Sequence, residues 1–200
     1  MKILGIVCSP RKEGNTEILV KEALDAAREA GCETELILLA GKKITPCNGC
    51  NTCLKDGVCN VKDDMQAIYE QLEKADGIIF GSPVYFYNVT AQAKAVVDRT
   101  YPLAFHRKLK NKVAAAIVVA GNMGIGQALG FLYTFFDLHK MVIAGSGAGY
   151  GNEKGEVKRE GAGATFGGSA IEEAHSTGKR MVKLIAQLER GKERKGTAAG

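Results

Sequence analysis

Five short apolar segments, separated by stretches of helical pattern, constrain the fold of this chain most strongly. The first, Lys2–Val7, reads KILGIV and is apolar without alternation. Such a run is typical of a strand that is buried on both faces, as in the centre of a parallel sheet. The other four segments are Glu33–Leu39, Gly77–Gly81, Val113–Ala120 and Met141–Ala144.

Helical patterns lie between these strands. The clearest is Glu17–Glu29, which carries apolar residues on one face and ends just before Gly31. The others are Asp63–Ala75, Thr90–Arg99, Gln127–Leu138 and Ser169–Arg190. Strands that alternate with helices predict an α/β fold, here a flavodoxin-like, doubly wound parallel sheet of five strands in the order 2-1-3-4-5.

Length and charge narrow the organisation further. The chain has 200 residues, 46% of them hydrophobic, and a net charge of +5. We predict one domain over residues 1–190, with a cysteine-rich insertion (43–62) after strand 2, a Gly-rich loop (145–168) and a basic flexible tail (191–200). No segment approaches the roughly 20 apolar residues of a membrane span, and no signal peptide is visible. We therefore expect a cytoplasmic protein that binds neither membrane nor nucleic acid.

A polar loop between the first strand and its helix predicts an anion site. The loop, Ser9–Thr16, reads SPRKEGNT. A helix start offers free N–H groups and a partial positive charge, and a guanidinium such as that of Arg11 can hold phosphate by two hydrogen bonds. The loop matches neither G-x-G-x-x-G nor the P-loop, so one terminal phosphate, as in FMN, fits better. A plain capped helix start is the alternative.

Two more loops lie at the same predicted sheet edge. Ser82–Asn88 is rich in aromatic residues, and Gly121–Gly126 is rich in glycine. Open α/β sheets bind ligands outside the carboxyl ends of their strands. A phosphate site, aromatic side chains and a pliable loop at one edge favour a flat heteroaromatic ligand with a phosphate tail.

Four cysteines in the insertion indicate a metal site. Cys47, Cys50, Cys53 and Cys59 form the pattern C-x2-C-x2-C-x5-C. Four thiolates from one compact loop are what a [4Fe–4S] cluster requires. Zinc also takes four cysteines, but usually as two C-x2-C pairs across a longer loop. The spacing favours the iron–sulfur interpretation, with zinc and metal-free thiols as alternatives.

Taken together, the motifs resemble the iron–sulfur flavoproteins of the wider NADPH-dependent FMN reductase group. The residues that carry the resemblance are SPRKEGNT, the cysteine loop running into Asp63-Asp64-Met65, and Gly81-Ser-Pro-Val-Tyr85 followed by Lys94 and Asp98-Arg99. The resemblance implies FMN held by the first loop and the Pro83–Asn88 loop. The cofactor-binding candidates are Ser9, Arg11, Lys12, Gly14, Asn15, Thr16, Pro83, Val84, Tyr85, Phe86, Asn88 and Gly121.

The resemblance also implies a function. It implies a [4Fe–4S] cluster on the four cysteines, and homo-oligomers, usually tetramers, with the cluster of one subunit near the flavin of another. Electrons would pass from ferredoxin or NAD(P)H to acceptors such as oxygen, peroxide or quinones. The alternatives are an NAD(P)H-dependent FMN or quinone reductase without a cluster, and a non-enzymatic flavodoxin-like carrier with a structural metal. We predict no catalytic acid or base, because cofactors carry this chemistry.

Overall fold

The computed structural model describes residues 1–165 and 168–197. Its centre is a parallel sheet whose five strands are hydrogen-bonded in the order β2-β1-β3-β4-β5. The strands are β1 (Lys2–Val7), β2 (Glu33–Leu38), β3 (Gly77–Pro83), β4 (Val113–Ala120) and β5 (Val142–Tyr150). The predicted α/β fold of flavodoxin type and its strand order are confirmed.

Helices cover both faces of the sheet. Those in the described residues are α1 (Asn15–Glu29), α2 (Cys53–Asp56), α3 (Met65–Lys74), α4 (Ala91–Arg99), α5 (Tyr101–Phe105), α6 (Ile125–Leu138) and α7 (Ala170–Thr197). The short helices α2 and α5 are not in the sequence prediction. In the described part of the chain, no helix is both long enough and apolar enough to cross a membrane.

Two hydrophobic cores result from the alternation of side chains along the strands. Ile3 of β1 faces the core formed with α1 and α7, whereas Leu4 faces the core formed with α3, α4 and α6. Gly178 permits close packing of α7 on α1, because a Cβ at this position would lie 2.1 Å from the carbonyl oxygen of Ala23. The helices therefore cover both faces of the central strands and leave the carboxyl ends of these strands accessible to ligands.

The last strand is longer than we predict from the sequence. The predicted strand Met141–Ala144, with a loop from Gly145, is wrong in extent, because β5 pairs with β4 as far as Tyr150. Helix α7 lies so close that a Cβ on Gly149 would be 2.6 Å from the Cβ of Ala170. Glycine in this strand therefore reflects close helix packing rather than a loop.

The closing helix also extends further than predicted. Helix α7 continues to Thr197, beyond the predicted end at Arg190, and takes in residues 191–197 of the predicted tail. Residues 198–200, the rest of that tail, lie outside the described residues, as do residues 166 and 167 of the predicted Gly-rich loop. The flexibility of the tail stays a prediction.

Candidate functional site

A cavity of about 340 Å³ lies at the carboxyl ends of β1, β3 and β4. Every predicted cofactor-binding residue lines it except Phe86 and Asn88. The lining residues are Ser9, Arg11, Lys12, Gly14, Asn15, Thr16, Pro83, Val84, Tyr85, Val119, Gly121, Gly151, Asn152 and Lys154. We call this space the edge cavity. The sheet thus brings together the first polar loop, the aromatic loop and the start of the glycine loop, as predicted from their common edge.

The start of α1 forms one wall of the edge cavity. Gly14 is the N-cap residue, and no side chain of the described residues caps this helix end. The hydroxyl oxygen of Ser9 accepts a hydrogen bond from the backbone N–H of Arg11 at 3.1 Å, which fixes the loop. The buried carboxylate of Glu17 accepts from the N–H of Glu13 at 2.6 Å and pairs with Lys21. An uncapped helix start with its nearby carboxylate already paired suits an anion.

The loop after β5 forms the opposite wall, which we did not predict. The amide nitrogen of Asn15 donates to the carbonyl of Glu153 at 2.8 Å, and the amide oxygen accepts from the N–H of Gly155 at 2.8 Å. Arg11 donates to the carbonyl of Asn152 at 3.3 Å. Asn15 therefore fastens this loop as well as lining the cavity. Placing β5 as far as Tyr150 would have brought these residues to the same edge.

The aromatic loop is a two-residue hairpin with an unusual backbone. Tyr85 and Asn88 pair across it, with N···O distances of 2.8 and 3.0 Å. Phe86 and Tyr87, at its tip, have φ values of 47° and 61°. Such values are uncommon for bulky residues, and hairpin tips of this type favour glycine or asparagine. The Phe86 ring is fully exposed, whereas Tyr85 lines the edge cavity.

Thr90 connects this loop to the first one. Its hydroxyl caps α4 by accepting from the N–H of Ala93 at 3.1 Å. The same hydroxyl donates to the carbonyl of Cys8, at the end of β1, at 2.7 Å. One buried threonine thereby holds the loops after β1 and β3 at a constant separation.

The four predicted metal ligands line a second cavity, of about 470 Å³, which we call the cysteine cavity. Its other wall comes from α4, α5 and α6 and includes Val97, Arg99, Phe135, Leu138 and His139. Among the side chains that the structure describes, in residues 1–165 and 168–191, no three or more His, Cys, Asp or Glu residues form a group that could hold a metal. The four thiols share one cavity but do not form a metal-binding group.

The cysteines differ in their surroundings. Cys47 and Cys50 are exposed, Cys59 is partly buried, and Cys53 is buried at the start of α2. Burial raises the pKa of the Cys53 thiol. A hydrogen bond with the Thr52 hydroxyl, at 3.0 Å, lowers the pKa of the Cys50 thiol. Since the thiolate is the metal ligand, these surroundings favour ionisation of the Cys50 thiol and disfavour ionisation of the Cys53 thiol.

A buried ion pair lies at the base of the cysteine loop. Arg99 is the last residue of α4, and its Nη1 lies 2.7 Å from Oδ2 of Asp63. The two side chains are 1% and 9% exposed. Burial alone would raise the pKa of Asp63, but hydrogen bonds from Arg99 and from the N–H groups of Thr45 and Met65 lower it to about 2. The pair is therefore charged at neutral pH. Beside it, Lys43 N–H donates to the Asp64 carboxylate at 2.6 Å.

Residues 1–154 match the family model of NADPH-dependent FMN reductase. The chain belongs to the NADPH-dependent FMN reductase family. An iron–sulfur flavoprotein of Methanocaldococcus jannaschii is 40% identical over 200 residues, which cover 95% of this chain and 100% of that protein. One from Methanosarcina thermophila is 40% identical over 156 residues, covering 76% and 81%. The resemblance to the iron–sulfur flavoproteins is confirmed, and this family member is a flavin-dependent oxidoreductase.

A solved structure supports the fold. RosB, crystallised with 8-demethyl-8-formylriboflavin-5'-phosphate, has a TM-score of 0.73 at 16% identity and covers 100% of this chain and 86% of its own. At that identity the likeness concerns the fold alone. FMN is the flavin that the family supports, and the edge cavity suits it, with an uncapped helix start for a phosphate and Tyr85 for a ring.

The wall of the cysteine cavity includes two residues with unpaired polar atoms. Among the described residues, two buried side-chain nitrogens have no hydrogen-bond partner, Nε of Arg99 and Nδ1 of His139. Both residues line the cysteine cavity. Buried polar atoms are normally paired, and these two nitrogens behind the cavity surface are not. The residue types fit a [4Fe–4S] cluster, with four thiols as ligands and a guanidinium donor for its sulfurs, but the thiols would have to move together to bind it.

Proposed function

We propose that this chain is an iron–sulfur flavoprotein with FMN in the edge cavity and a [4Fe–4S] cluster on Cys47, Cys50, Cys53 and Cys59. It would move electrons from ferredoxin or NAD(P)H to acceptors such as oxygen, peroxide or quinones. The observation that carries the proposal is the pairing of two sites in one chain, a phosphate-type cradle at the sheet edge and four thiols around one cavity. FMN exchanges electrons in pairs or singly and the cluster exchanges them singly.

The residues of the edge cavity would bind and orient FMN. The start of α1, Thr16 and Arg11 would hold the phosphate by charge-assisted hydrogen bonds. Pro83, Val84 and Tyr85 would lie along the ring, since they line the same cavity beyond the end of β3. Lys12 and Lys154 also line this cavity. Lys12 would add positive charge near the phosphate, whereas Lys154 is paired with Glu13 at 2.6 Å. These roles require no side-chain acid or base.

The residues of the cysteine cavity would bind the cluster and keep water away. The thiolates are soft ligands, as iron–sulfur chemistry requires. The opposite wall contributes the apolar side chains of Val97, Phe135 and Leu138, and the cavity surface is mostly apolar. Burial on that side would limit solvent access, which is one of the determinants of cluster potential.

We propose further that the chain works in the cytoplasm as a homo-oligomer, with a tetramer as our expectation from the family resemblance. Support comes from the rim of the edge cavity, where Tyr85, Phe86 and Tyr87 are exposed beside Met123. Contiguous exposed apolar side chains of this kind mark interaction surfaces. A neighbouring subunit at this rim would cover them and exclude water from the flavin.

A cluster-free NAD(P)H-dependent FMN or quinone reductase is the second candidate. The observation that favours it is the separation of the thiols, which do not form a metal-binding group within the described residues. Under this alternative, the edge cavity keeps its role and the cysteine loop is only a surface insertion.

Anaerobic purification followed by analysis of FMN, iron, zinc and acid-labile sulfide separates the two candidates. We expect about one FMN and about four iron and four sulfide per chain, as one [4Fe–4S] cluster requires. The visible spectrum should combine flavin bands with a broad cluster absorption. If protein that holds FMN contains zinc, or contains neither iron nor sulfide, the cluster is rejected and the cluster-free reductase remains.

A further inference from the structure

We propose that Arg99 is the positioning residue of the cysteine site, where its guanidinium joins both ends of the loop and places a buried positive charge beside Cys59. The part of this inference that concerns the cluster rests on the proposed function. The part that concerns the loop is independent of it, because every contact involved is formed by the protein itself.

The guanidinium connects residues on either side of the four cysteines. Its Nη1 donates to the carbonyl of Thr45 at 2.7 Å, and its Nη2 donates to the carbonyl of Val61 at 3.2 Å. Thr45 precedes Cys47 and Val61 follows Cys59, so the whole ligand set lies within the segment that Arg99 closes. Asp63 receives a hydrogen bond from each of the two terminal nitrogens, at 2.7 and 3.1 Å. A planar fork with several donors can make such contacts together, which a lysine ammonium cannot.

Arg99 itself is held firmly at the end of α4. The hydroxyl of Tyr69, on α3, donates to the backbone carbonyl of Arg99 at 2.5 Å. Asp63 also accepts the backbone N–H of Thr45 at 2.8 Å, so the acid and the guanidinium bind the same point of the loop. The tip of the loop is held more weakly, by a contact of 3.2 Å between the ring nitrogen Nε2 of His106 and the carbonyl of Cys53. The base of the loop is therefore set by Arg99 and Asp63, while the tip can adjust to a ligand.

The charge of Arg99 acts on the same cavity. Arg99 and Cys59 both line it, and Nε of Arg99 has no partner in the part of the chain described. Although burial opposes its charge, hydrogen bonds to Asp63 and the proximity of Tyr69 and Cys59 raise the pKa of Arg99. A donor and the positive end of the Arg99–Asp63 ion pair, turned to the side of a cluster ligand, stabilise the more negative, reduced state. We therefore expect Arg99 to raise the reduction potential of a cluster on these cysteines.

A purely structural role for this ion pair is the competing explanation. Removing one partner of a buried pair is destabilising in any protein, because the other charge is left unpaired. Loss of stability alone therefore cannot identify a positioning residue. The reduction potential and the accessibility of the loop base to protease distinguish the two explanations, and a charge-conserving variant separates charge from geometry.

The test compares wild type with Arg99→Lys, Arg99→Met and a control, Lys94→Met. Lys94 lies on the same helix and pairs with Asp98 at 2.7 Å, but both side chains are exposed. Each protein is reconstituted anaerobically with iron and sulfide. FMN content and circular dichroism report whether the sheet is folded, iron and sulfide report occupancy, and a redox titration followed by electron paramagnetic resonance gives the midpoint potential.

We expect about a tenfold or greater loss of cluster affinity for both Arg99 variants, as for other residues that orient metal ligands. Where cluster remains, Arg99→Lys should keep a potential close to wild type and Arg99→Met should have a more negative one. Lys94→Met should match wild type in cluster affinity and should shift the potential far less than Arg99→Met, because the Lys94–Asp98 pair is exposed and screened by solvent. If Arg99→Lys is folded, holds FMN and retains the cluster as wild type does, the positioning role is overturned. An unchanged potential in Arg99→Met overturns the electrostatic role.

Limited trypsin digestion of the metal-free proteins tests loop closure separately. Lys43 and Lys62 are exposed and flank the base, whereas Lys55 lies in the tip. Arg99→Lys should be cleaved faster after Lys43 and Lys62 and at an unchanged rate after Lys55. Equal cleavage at all three sites in wild type and variant overturns the inference. Wild-type protein that takes up no iron or sulfide defeats the proposed function instead, and this digestion result still stands.

Discussion

The edge cavity and the cysteine cavity are built in different ways. The edge cavity is formed at the ends of β1, β3 and β4, and its walls are held by buried residues such as Thr90 and Asn15. The cysteine cavity is formed by a loop that leaves the sheet after β2, and its base depends on one ion pair, Arg99–Asp63. The first site takes its position from the sheet, and several buried side chains share the task of holding its walls. The second depends on a few side chains, so single substitutions should affect it more selectively.

The strongest test of this difference is removal of one thiol. Cys50→Ser should abolish the cluster, since a hydroxyl does not replace the fourth thiolate of a [4Fe–4S] site. It should leave FMN content and the circular dichroism spectrum unchanged, because Cys50 lies in the insertion and is exposed. Cys32→Ser, at a buried thiol outside the loop, is the control for iron and sulfide content. Loss of FMN together with iron in Cys50→Ser would show that the two sites are not separate.

A pH titration probes the helical wall behind the cysteine cavity. Burial lowers the pKa of His139 from 6.5 to about 4, and Nε2 lies 2.9 Å from the hydroxyl of Thr100. At pH values between these two pKa values, His139 carries a proton in the unfolded chain but not in the folded chain. The free energy of unfolding should therefore fall by about 3 kcal/mol as the pH drops from 6.5 to 4. His139→Gln should show a smaller fall over this range in urea titrations, whatever its stability at pH 7.

Removal of the arginine of the first loop tests the edge cavity. Arg11→Ala should weaken FMN binding by about 1.5–3 kcal/mol, the usual value of a hydrogen bond to a charged group. Fluorescence titration of the apoprotein with FMN measures this change. Arg28→Ala, at the far end of the same helix and also exposed, should bind FMN as wild type does. An unchanged affinity for FMN in Arg11→Ala would show that the phosphate does not bind at the α1 wall.

The smallest expected effect concerns the strained tip of the aromatic hairpin. Phe86 has a φ of 47° and a fully exposed ring. Phe86→Gly should raise the free energy of unfolding by about 1 kcal/mol, because glycine adopts this conformation without steric cost. Phe86→Ala removes the same ring but keeps a Cβ, so it should show no comparable gain in a thermal or urea unfolding experiment. Equal stability in both variants would mean that the backbone here carries no strain.

Sequence patterns predicted the sheet and much of the edge cavity, because both depend on short-range information. The apolar run Lys2–Val7 and the polar loop after it are adjacent in sequence, and the fold type places the ends of β1 and β3 together. We did not predict the wall at residues 151–154, because the glycines of β5 are typical of a loop rather than of a strand. The strand needs glycine at these positions because α7, which is remote in sequence, packs closely against it.

The role of Arg99 was missed for a similar reason. In the sequence, Arg99 and Asp63 stand out only as ends of predicted helices and as parts of a family resemblance, and neither feature distinguishes a buried partner from a solvated charge. Their ion pair joins residues 36 positions apart, and the contact with Thr45 spans 54. Only the packing of α4 beside the cysteine loop reveals that one guanidinium closes it.

The hydrogen bonds of Asn15 set an order in which the two sites can be completed during synthesis. They join residues 138 and 140 positions apart, so one wall of the edge cavity does not exist until most of the chain has left the ribosome. The thiols and the base of their loop, with Arg99, are all present once the first half has emerged. Chains grow at about 5–20 residues per second. For several seconds, therefore, a nascent chain carries its full set of thiols with no place for FMN, and flavin capture belongs to the last stage of its maturation.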